Sequence, residues 1–136
     1  MKLSILTATY NRAKFLEKLY KSIIENIDSK LEIEWLIMDD GSEDNTREVI
    51  RKFIDEKKVQ INYNFQENQG KMAAINNLVQ LATGDLIVDC DSDDYFNNNA
   101  FTIIREEIEK TAKEGLYAIC FLKQKEDGKI DGTSFK

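Results

Sequence analysis

Histidine and proline do not occur anywhere in this chain of 136 residues. Without histidine, Ser-His-Asp catalysis, Cys-His catalysis and histidine-ligated zinc are excluded together. At its usual ~5%, proline would contribute roughly seven residues. The turns must therefore be built from Gly, Asn and Asp, and these cluster as DDGSEDN, ENQG, DDYFNNN and EDGKIDG. Cysteine is scarce: Cys90 and Cys120 both fall in apolar stretches, and there is no C-x-x-C. That pattern predicts buried thiols rather than a disulfide, and a reducing compartment. No apolar run approaches the ~18 residues of a membrane span. Met1-Lys2 leads straight into a strand-like segment, so no signal peptide is expected.

Basic residues are missing from one stretch in particular. None lies between Lys71 and Arg105, yet that stretch carries Asp85, Asp89, Asp91, Asp93 and Asp94. Like charges this close raise one another's pKa unless a cation sits between them. Nothing nearby in sequence supplies one, so the cluster suggests a divalent-cation site, and with it phosphate chemistry. Over the whole chain, 25 acidic residues against 19 basic give a net charge of −6. That argues against nucleic-acid binding by bulk electrostatics. Length and composition (42% hydrophobic, 32% charged) are those of one soluble globular domain.

Strand and helix signals alternate. Leu3–Thr9, Ile33–Met38, Val59–Phe65, Leu86–Cys90 and Leu116–Leu122 read as strands. Ala13–Asn26, Thr46–Glu56, Lys71–Ala82 and Ala100–Lys113 carry apolar residues at helical spacing, with Asp44 or Asn45 as the N-cap of the second helix. Leu86-Ile87-Val88 reads as buried, and EDGK with DGT suggests a closing hairpin. The alternation predicts an α/β fold: a doubly wound, mostly parallel sheet with helices on both faces. Ligands of such folds bind beyond the carboxyl ends of the strands. The polar clusters TYNR, DDGSEDN and DCDSDD all follow strands, so this rule gathers them at one edge.

Each cluster has a plain reading and a chemical one. Tyr10 is either rim packing or a stacking platform for a base. Asp39-Asp40-Gly41-Ser42 is either turn chemistry or an acceptor for a ring N–H or ribose hydroxyl. The aspartate cluster does not fit a calcium EF-hand loop, which needs Gly where Asp94 stands and Glu where Ala100 stands. A dehalogenase-like phosphatase would want Thr or Val at the fifth position of its motif, where this chain has Asp93 or Tyr95. A cytidylyl- or uridylyltransferase would want a Gly-rich basic loop after the first strand, and TATYNRAKF has no glycine.

Four segments together, ATYNR (8–12), DDGSEDNT (39–46), ENQGKMAAINN (67–77) and ATGDLIVDCDSDD (82–94), resemble the nucleotide-sugar-binding half of family 2 glycosyltransferases with the GT-A (Rossmann-like) fold. The resemblance covers residues 1–123 and leaves 124–136 as a hairpin or tail leading to an acceptor-binding part. It departs from the family at Ala8, where proline is usual, and near Asn98, where proline often follows the acidic motif. It implies nucleotide contacts at Ala8, Tyr10, Arg12, Asp40, Lys71 and Asp91, with Tyr10 and Asp40 at the base. It also implies Mn²⁺ or Mg²⁺ held by Asp91 and Asp93, with Asp94 able to trade roles with Asp93.

The implied activity is inverting transfer of a sugar from a nucleotide-diphosphate donor, UDP-linked by preference, to a saccharide or lipid-linked acceptor. The implied location is cytoplasmic, at the inner face of a membrane where the acceptor is lipid-linked. The general base is expected in a later segment. The chain ends about forty residues beyond the acidic motif, so a truncated piece lacking that base is expected. The alternative from another class is a receiver-like signalling domain, with Asp39-Asp40 as its Mg²⁺ pair and Asp89 as phosphoacceptor. There, however, the acidic pair should end the first strand rather than the second.

Overall fold

The computed structural model describes residues 1–112 and 123–131. Two compact units divide the chain, Met1–Arg105 and Glu106–Lys136. In the first, β1 (Lys2–Thr9) is flanked by β2 (Glu32–Asp39) and β4 (Leu86–Asp89), and β3 (Gln60–Phe65) lies beyond β2. The order is β3-β2-β1-β4, and every pair is parallel. The connecting helices are α1 (Ala13–Glu25), α2 (Thr46–Glu56) and α3 (Lys71–Leu81), and α4 (Ala100–Thr111) follows β4. The α/β architecture and parallel sheet agree with the expectation, and element ends shift by only one or two residues. The strand expected over Leu116–Leu122, with Cys120, lies outside the described residues. In the second unit, Lys123–Gln124 (β5) pairs antiparallel with Ile130–Asp131 (β6), which is the expected hairpin. Among the described residues, no helix is long and apolar enough to cross a membrane.

β1 and β2 are apolar on both faces because helices cover both, as parallel central strands require. Alternation then sorts their side chains. On one face Trp35 is fully buried and stacks with Tyr20 of α1 and Phe53 of α2 at centroid distances of 6.3 Å each, while Tyr20 and Phe53 stack at 4.1 Å. The indole N–H donates to Thr7 Oγ1 at 2.9 Å. On the other face Leu6, Leu36 and Met38 pack against Ala74 and Leu78 of α3. Two places depart from what apolar spacing along the sequence suggests, the second being Ile27, which continues the helical spacing of Leu16, Leu19 and Ile23. Ile87 is 48% exposed among the described residues, so β4 is not the buried strand its sequence suggests. Within them it is bordered only by β1, where Ile87 stands level with Ser4 on the α3 face, and α3 packs over β1 and β2 rather than over β4. Ile27 lies past the last turn of α1 and is exposed rather than continuing its apolar stripe.

A carboxylate sits inside the sheet at the end opposite the strand-end clusters. Glu34 is 4% exposed, on the α3 face of β2. Its oxygens accept from Ser4 Oγ at 2.5 Å, Thr83 N–H at 2.7 Å and Thr83 Oγ1 at 2.8 Å, and Lys2 Nζ lies 3.0 Å away. Gly84 donates its N–H to Ser4 Oγ at 2.8 Å, and a Cβ on Gly84 would stand 2.5 Å from that oxygen. Asp85 accepts the N–H of Lys2 at 2.9 Å. The Thr83-Gly84-Asp85 segment therefore locks the start of β4 onto β1, a structural task.

Burial alone would raise the Glu34 pKa. The bonds from Ser4, Thr83 and Lys2 outweigh burial and pull it from the ordinary 4.5 to about 2. The stabilisation from ionised Glu34 is therefore complete above pH 4.5 and disappears as pH falls through about 2. Glu34→Gln is expected to cost about 3 kcal/mol in denaturant unfolding at pH 7. The gap to wild type should narrow steadily between pH 4.5 and 2. An equal gap at pH 7 and pH 2.5 would contradict this assignment.

Candidate functional site

The parallel register brings Thr9, Asp39 and Phe65 level with one another at the ends of β1, β2 and β3. Backbone bonds run on past the strands: Asp40 N–H to Thr9 O at 2.8 Å, Gln66 N–H to Asp39 O at 2.9 Å and Cys90 N–H to Leu6 O at 2.9 Å. The loops TYNR, DDGSED, QENQG and DCDSDD therefore leave the sheet along one edge, as the topology rule requires.

The first two loops are stitched together. Asn11 sits in the left-handed region, at φ 51°. Its Oδ1 accepts the N–H of Glu43 at 2.8 Å and of Asp44 at 3.4 Å, and its own N–H donates to Ser42 Oγ at 2.9 Å. Asp44 Oδ2 accepts the N–H of Ala13 at 3.2 Å, at the start of α1. Asp44 Oδ1 accepts from both N–H and Oγ1 of Thr46, at 3.0 and 2.5 Å. Asp44 thus satisfies donors at the head of α2, while Asn45, the formal cap residue, makes no side-chain capping bond. Gly41 supplies the turn at φ +89°, and its Cα passes so near Asn68 that a Cβ would stand 3.0 Å from the Asn68 nitrogen.

Asp39 and Asp40 have separate tasks. Asp39 is buried and accepts Ser42 N–H at 2.8 Å and Tyr63 O–H at 2.7 Å. Asp40 is also buried. Its Oδ1 accepts Gln66 Nε2 and Gln69 N–H, both at 2.8 Å, and its Oδ2 accepts Gly70 N–H at 3.0 Å. Burial pushes its pKa up, but the donors from Gln69, Gln66 and Gly70 outweigh that and hold it below the usual aspartate value. Asp40 therefore stays ionised at neutral pH. By lone-pair count its Oδ2 keeps room for one further donor. A carboxylate pair so committed to loop backbone is poorly suited to the Mg²⁺ role of a receiver domain.

Asp91, Asp93 and Asp94 follow β4, and their ligand oxygens all lie within 4.8 Å of one another. Three hard oxygen donors on one short loop suit Mg²⁺ or Mn²⁺, and nothing in the set is soft or imidazole. Cations do meet this cluster, but from distant parts of the sequence. Lys71, the first residue of α3, forms an ion pair with Asp91 Oδ1. Arg12 Nη1 lies 3.9 Å from Asp93 Oδ2. Tyr10 is 46% exposed at the rim. Ala8, near the end of β1, packs against the α3-side cluster of Leu6, Met38 and Ala74.

Beyond Asp94 the chain is pinned to α1: Phe96 N–H donates to Ser22 Oγ at 3.0 Å and Ala100 N–H to Asn26 Oδ1 at 2.8 Å. The structure thus brings Tyr10, Arg12, Asp40, Lys71, Asp91, Asp93 and Asp94 onto loops of one edge. The sequence assigns no such positioning task to Asn11, Gln66 or Gln69, and it marks Ser42 and Asp44 only as turn and helix-cap residues. The available signal was the run of short polar residues in both turns, which pair naturally with backbone N–H groups.

Residues 4–135 match the family model described as glycosyl transferase family 2. The uncharacterized glycosyltransferase MG060 of Mycoplasma genitalium is 40% identical over 114 residues, covering 81% of this chain and 38% of that protein. The GalNAc(5)-diNAcBac-PP-undecaprenol beta-1,3-glucosyltransferase of Campylobacter jejuni is 33% identical, over 88% of this chain and 37% of its own length. Among solved structures, S. aureus TarS 1–349 in complex with UDP-GlcNAc superposes with a TM-score of 0.76 at 27% identity, over 82% of this chain and 32% of that one. A mannosyltransferase from Pyrobaculum calidifontis in complex with GDP-Man and Mn²⁺ gives 0.62 at 25% identity, over 71% and 29%. The chain thus spans 38% and 37% of the lengths of the two curated relatives named, well short of either.

Asn11→Ala is expected to cost about 2 kcal/mol, because it leaves backbone donors of the second loop unpaired and places a Cβ residue without a local acceptor at positive φ. Asn11→Gly should cost less, since glycine tolerates that φ. Thermal or urea unfolding of the two variants checks the order. Two equal losses would show that the bonds to Glu43 and Asp44 dominate and that the backbone conformation costs nothing.

Proposed function

The chain belongs to glycosyl transferase family 2, and on that premise we propose that it forms the donor-binding part of a metal-dependent, inverting glycosyltransferase. The observation that carries this reading is the triad Asp91, Asp93 and Asp94, with ligand oxygens within 4.8 Å, on the same sheet edge as the interlocked TYNR and DDGSED loops. In this reading Asp40 accepts a ring N–H of the base through its remaining lone pair on Oδ2. Tyr10 offers a ring face at the rim. Asp91 reaches the ribose and shares the cation with Asp93, the principal ligand, and Asp94 can trade places with Asp93. Arg12 and Lys71 bring positive charge to the diphosphate, and Ala8 is a further nucleotide contact by the family resemblance. When bound, Mn²⁺ or Mg²⁺ would neutralise charge on the departing nucleoside diphosphate.

The loops' task is to hold the donor still with its anomeric carbon open. The cross-links from Asn11 and Asp44, and the three bonds that fix Asp40, are suited to that, because none needs to rearrange on binding. A general base must still take the acceptor's hydroxyl proton, and we place it in a later segment. Asp127 accepts the N–H of Lys129 at 2.9 Å and Asp131 pairs with Lys125 at 3.6 Å, both within the hairpin. A UDP-linked donor is favoured by the TarS likeness. A lipid-linked acceptor is favoured by the undecaprenol-linked acceptor in the Campylobacter relative's name, and work at the inner face of a membrane belongs to the same reading.

Titration calorimetry tests the reading. UDP should bind at least about tenfold more tightly with Mn²⁺ than with a chelator, and Asp93→Ala should remove most of that gain. Equal affinity with and without metal, or a gain untouched in Asp93→Ala, would count against it.

A further inference from the structure

We propose that Lys71 is an exchangeable counter-ion: its ammonium holds Asp91 while no metal is bound, and passes to the diphosphate when a divalent cation takes Asp91. The inference rests on the proposed metal and nucleotide site and adds how its two ligands are coupled.

The acidic run has no basic residue near it in sequence, yet it is not left bare. Lys71 reaches Asp91 from the head of α3, and Arg12 reaches toward Asp93 from the head of α1. The two contacts differ in kind. Arg12 stands 3.9 Å from its carboxylate, whereas Lys71 is hydrogen-bonded to Asp91 Oδ1. The backbone beneath Lys71 is also held. Gly70, the residue before it, donates its N–H to Asp40, the carboxylate assigned to the base. The root of the Lys71 side chain is thus fixed to the nucleotide end of the site, and its tip lies on the metal end.

That tip is easy to move. The Lys71 side chain is 54% exposed and Asp91 30%, so the pair is screened and weak. The lysine stem is long and turns freely, and its ammonium is a point charge with no directional fork to break. Two cations cannot share one aspartate oxygen without strong mutual repulsion. Metal binding on Asp91 therefore displaces Lys71. A nucleoside diphosphate carries more negative charge than one divalent cation neutralises, so it offers the displaced ammonium a new partner beside the old one. Metal alone displaces Lys71 from Asp91 and brings no anion to receive it. Metal with nucleotide lets Lys71 keep an ion pair. The two ligands then assist each other, and by linkage the effect is reciprocal.

The test is calorimetric titration of Mn²⁺ alone, UDP alone, and UDP in saturating Mn²⁺, at fixed ionic strength, with the fold of each variant checked by circular dichroism. Lys71→Met should bind Mn²⁺ alone about fivefold more tightly than wild type and UDP in Mn²⁺ about fivefold more weakly. The factor by which UDP tightens Mn²⁺ should fall accordingly. Lys71→Arg keeps the charge and should stay near wild type in Mn²⁺ binding. Lys18→Met serves as the control for loss of positive charge on the same unit, since Lys18 sits over the Tyr95 ring at 4.2 Å; it should change little. The exchange is overturned if Lys71→Met binds Mn²⁺ no more tightly than wild type, or if Lys18→Met matches its gain. Either outcome leaves the metal reading standing, provided wild-type UDP binding still requires Mn²⁺ and Asp93. If wild type binds UDP equally well in chelator and Asp93→Ala changes nothing, the metal reading and the exchange fall together.

Discussion

Parallel pairing of β1 with both β2 and β4 is the constraint on which everything else depends. In a parallel sheet every strand points the same way, so every strand's carboxyl end meets the same edge. Thr9 lies level with Asp39, and Asp39 with Phe65. Loops far apart in sequence are thereby forced to become neighbours. Once they are neighbours, short polar side chains can bind the backbone of the next loop, as Asn11 does with Glu43 and Asp40 does with Gln69 and Gly70. The rigidity of the edge follows from the direction of the strands.

Glu34 at the amino end and the cluster of Asp91, Asp93 and Asp94 at the carboxyl end handle negative charge in opposite ways. At the amino end, Glu34 is enclosed and fully partnered, and its pKa is pulled to about 2. That arrangement is closed, and its role is to hold β4 against β1 through Thr83 and Gly84. At the carboxyl end, Asp91, Asp93 and Asp94 are partly exposed and are met by the long side chains of Lys71 and Arg12. That arrangement is open and can be rebuilt around a ligand.

Much of this was legible before any coordinates. The helix over Thr46–Glu56 was read with its final boundaries because its apolar spacing and its polar lead-in agree with each other. The family motifs were legible because each is a polar turn that follows a strand-like segment. The errors have physical reasons as well. Leu86-Ile87-Val88 looked buried because apolar β-branched residues suit any strand, and periodicity does not say how many neighbours a strand has. Glu34 was overlooked inside IEWLIM, although a lone acid in an otherwise apolar strand was itself a sign of a buried, partnered carboxylate.

The sequence by itself determined the order of elements, the α/β class, the family and which carboxylates crowd together, because those depend on local propensity and on spacing along the chain. It did not determine what neutralises the crowd. The gap in basic residues from Lys71 to Arg105 suggests a bound cation and offers no protein charge nearby. Only the tertiary structure adds such charge: the heads of α1 and α3, distant in sequence, deliver Arg12 and Lys71 to Asp93 and Asp91. Electrostatic neighbours are set by distance in space, and in a parallel sheet that distance is fixed by register.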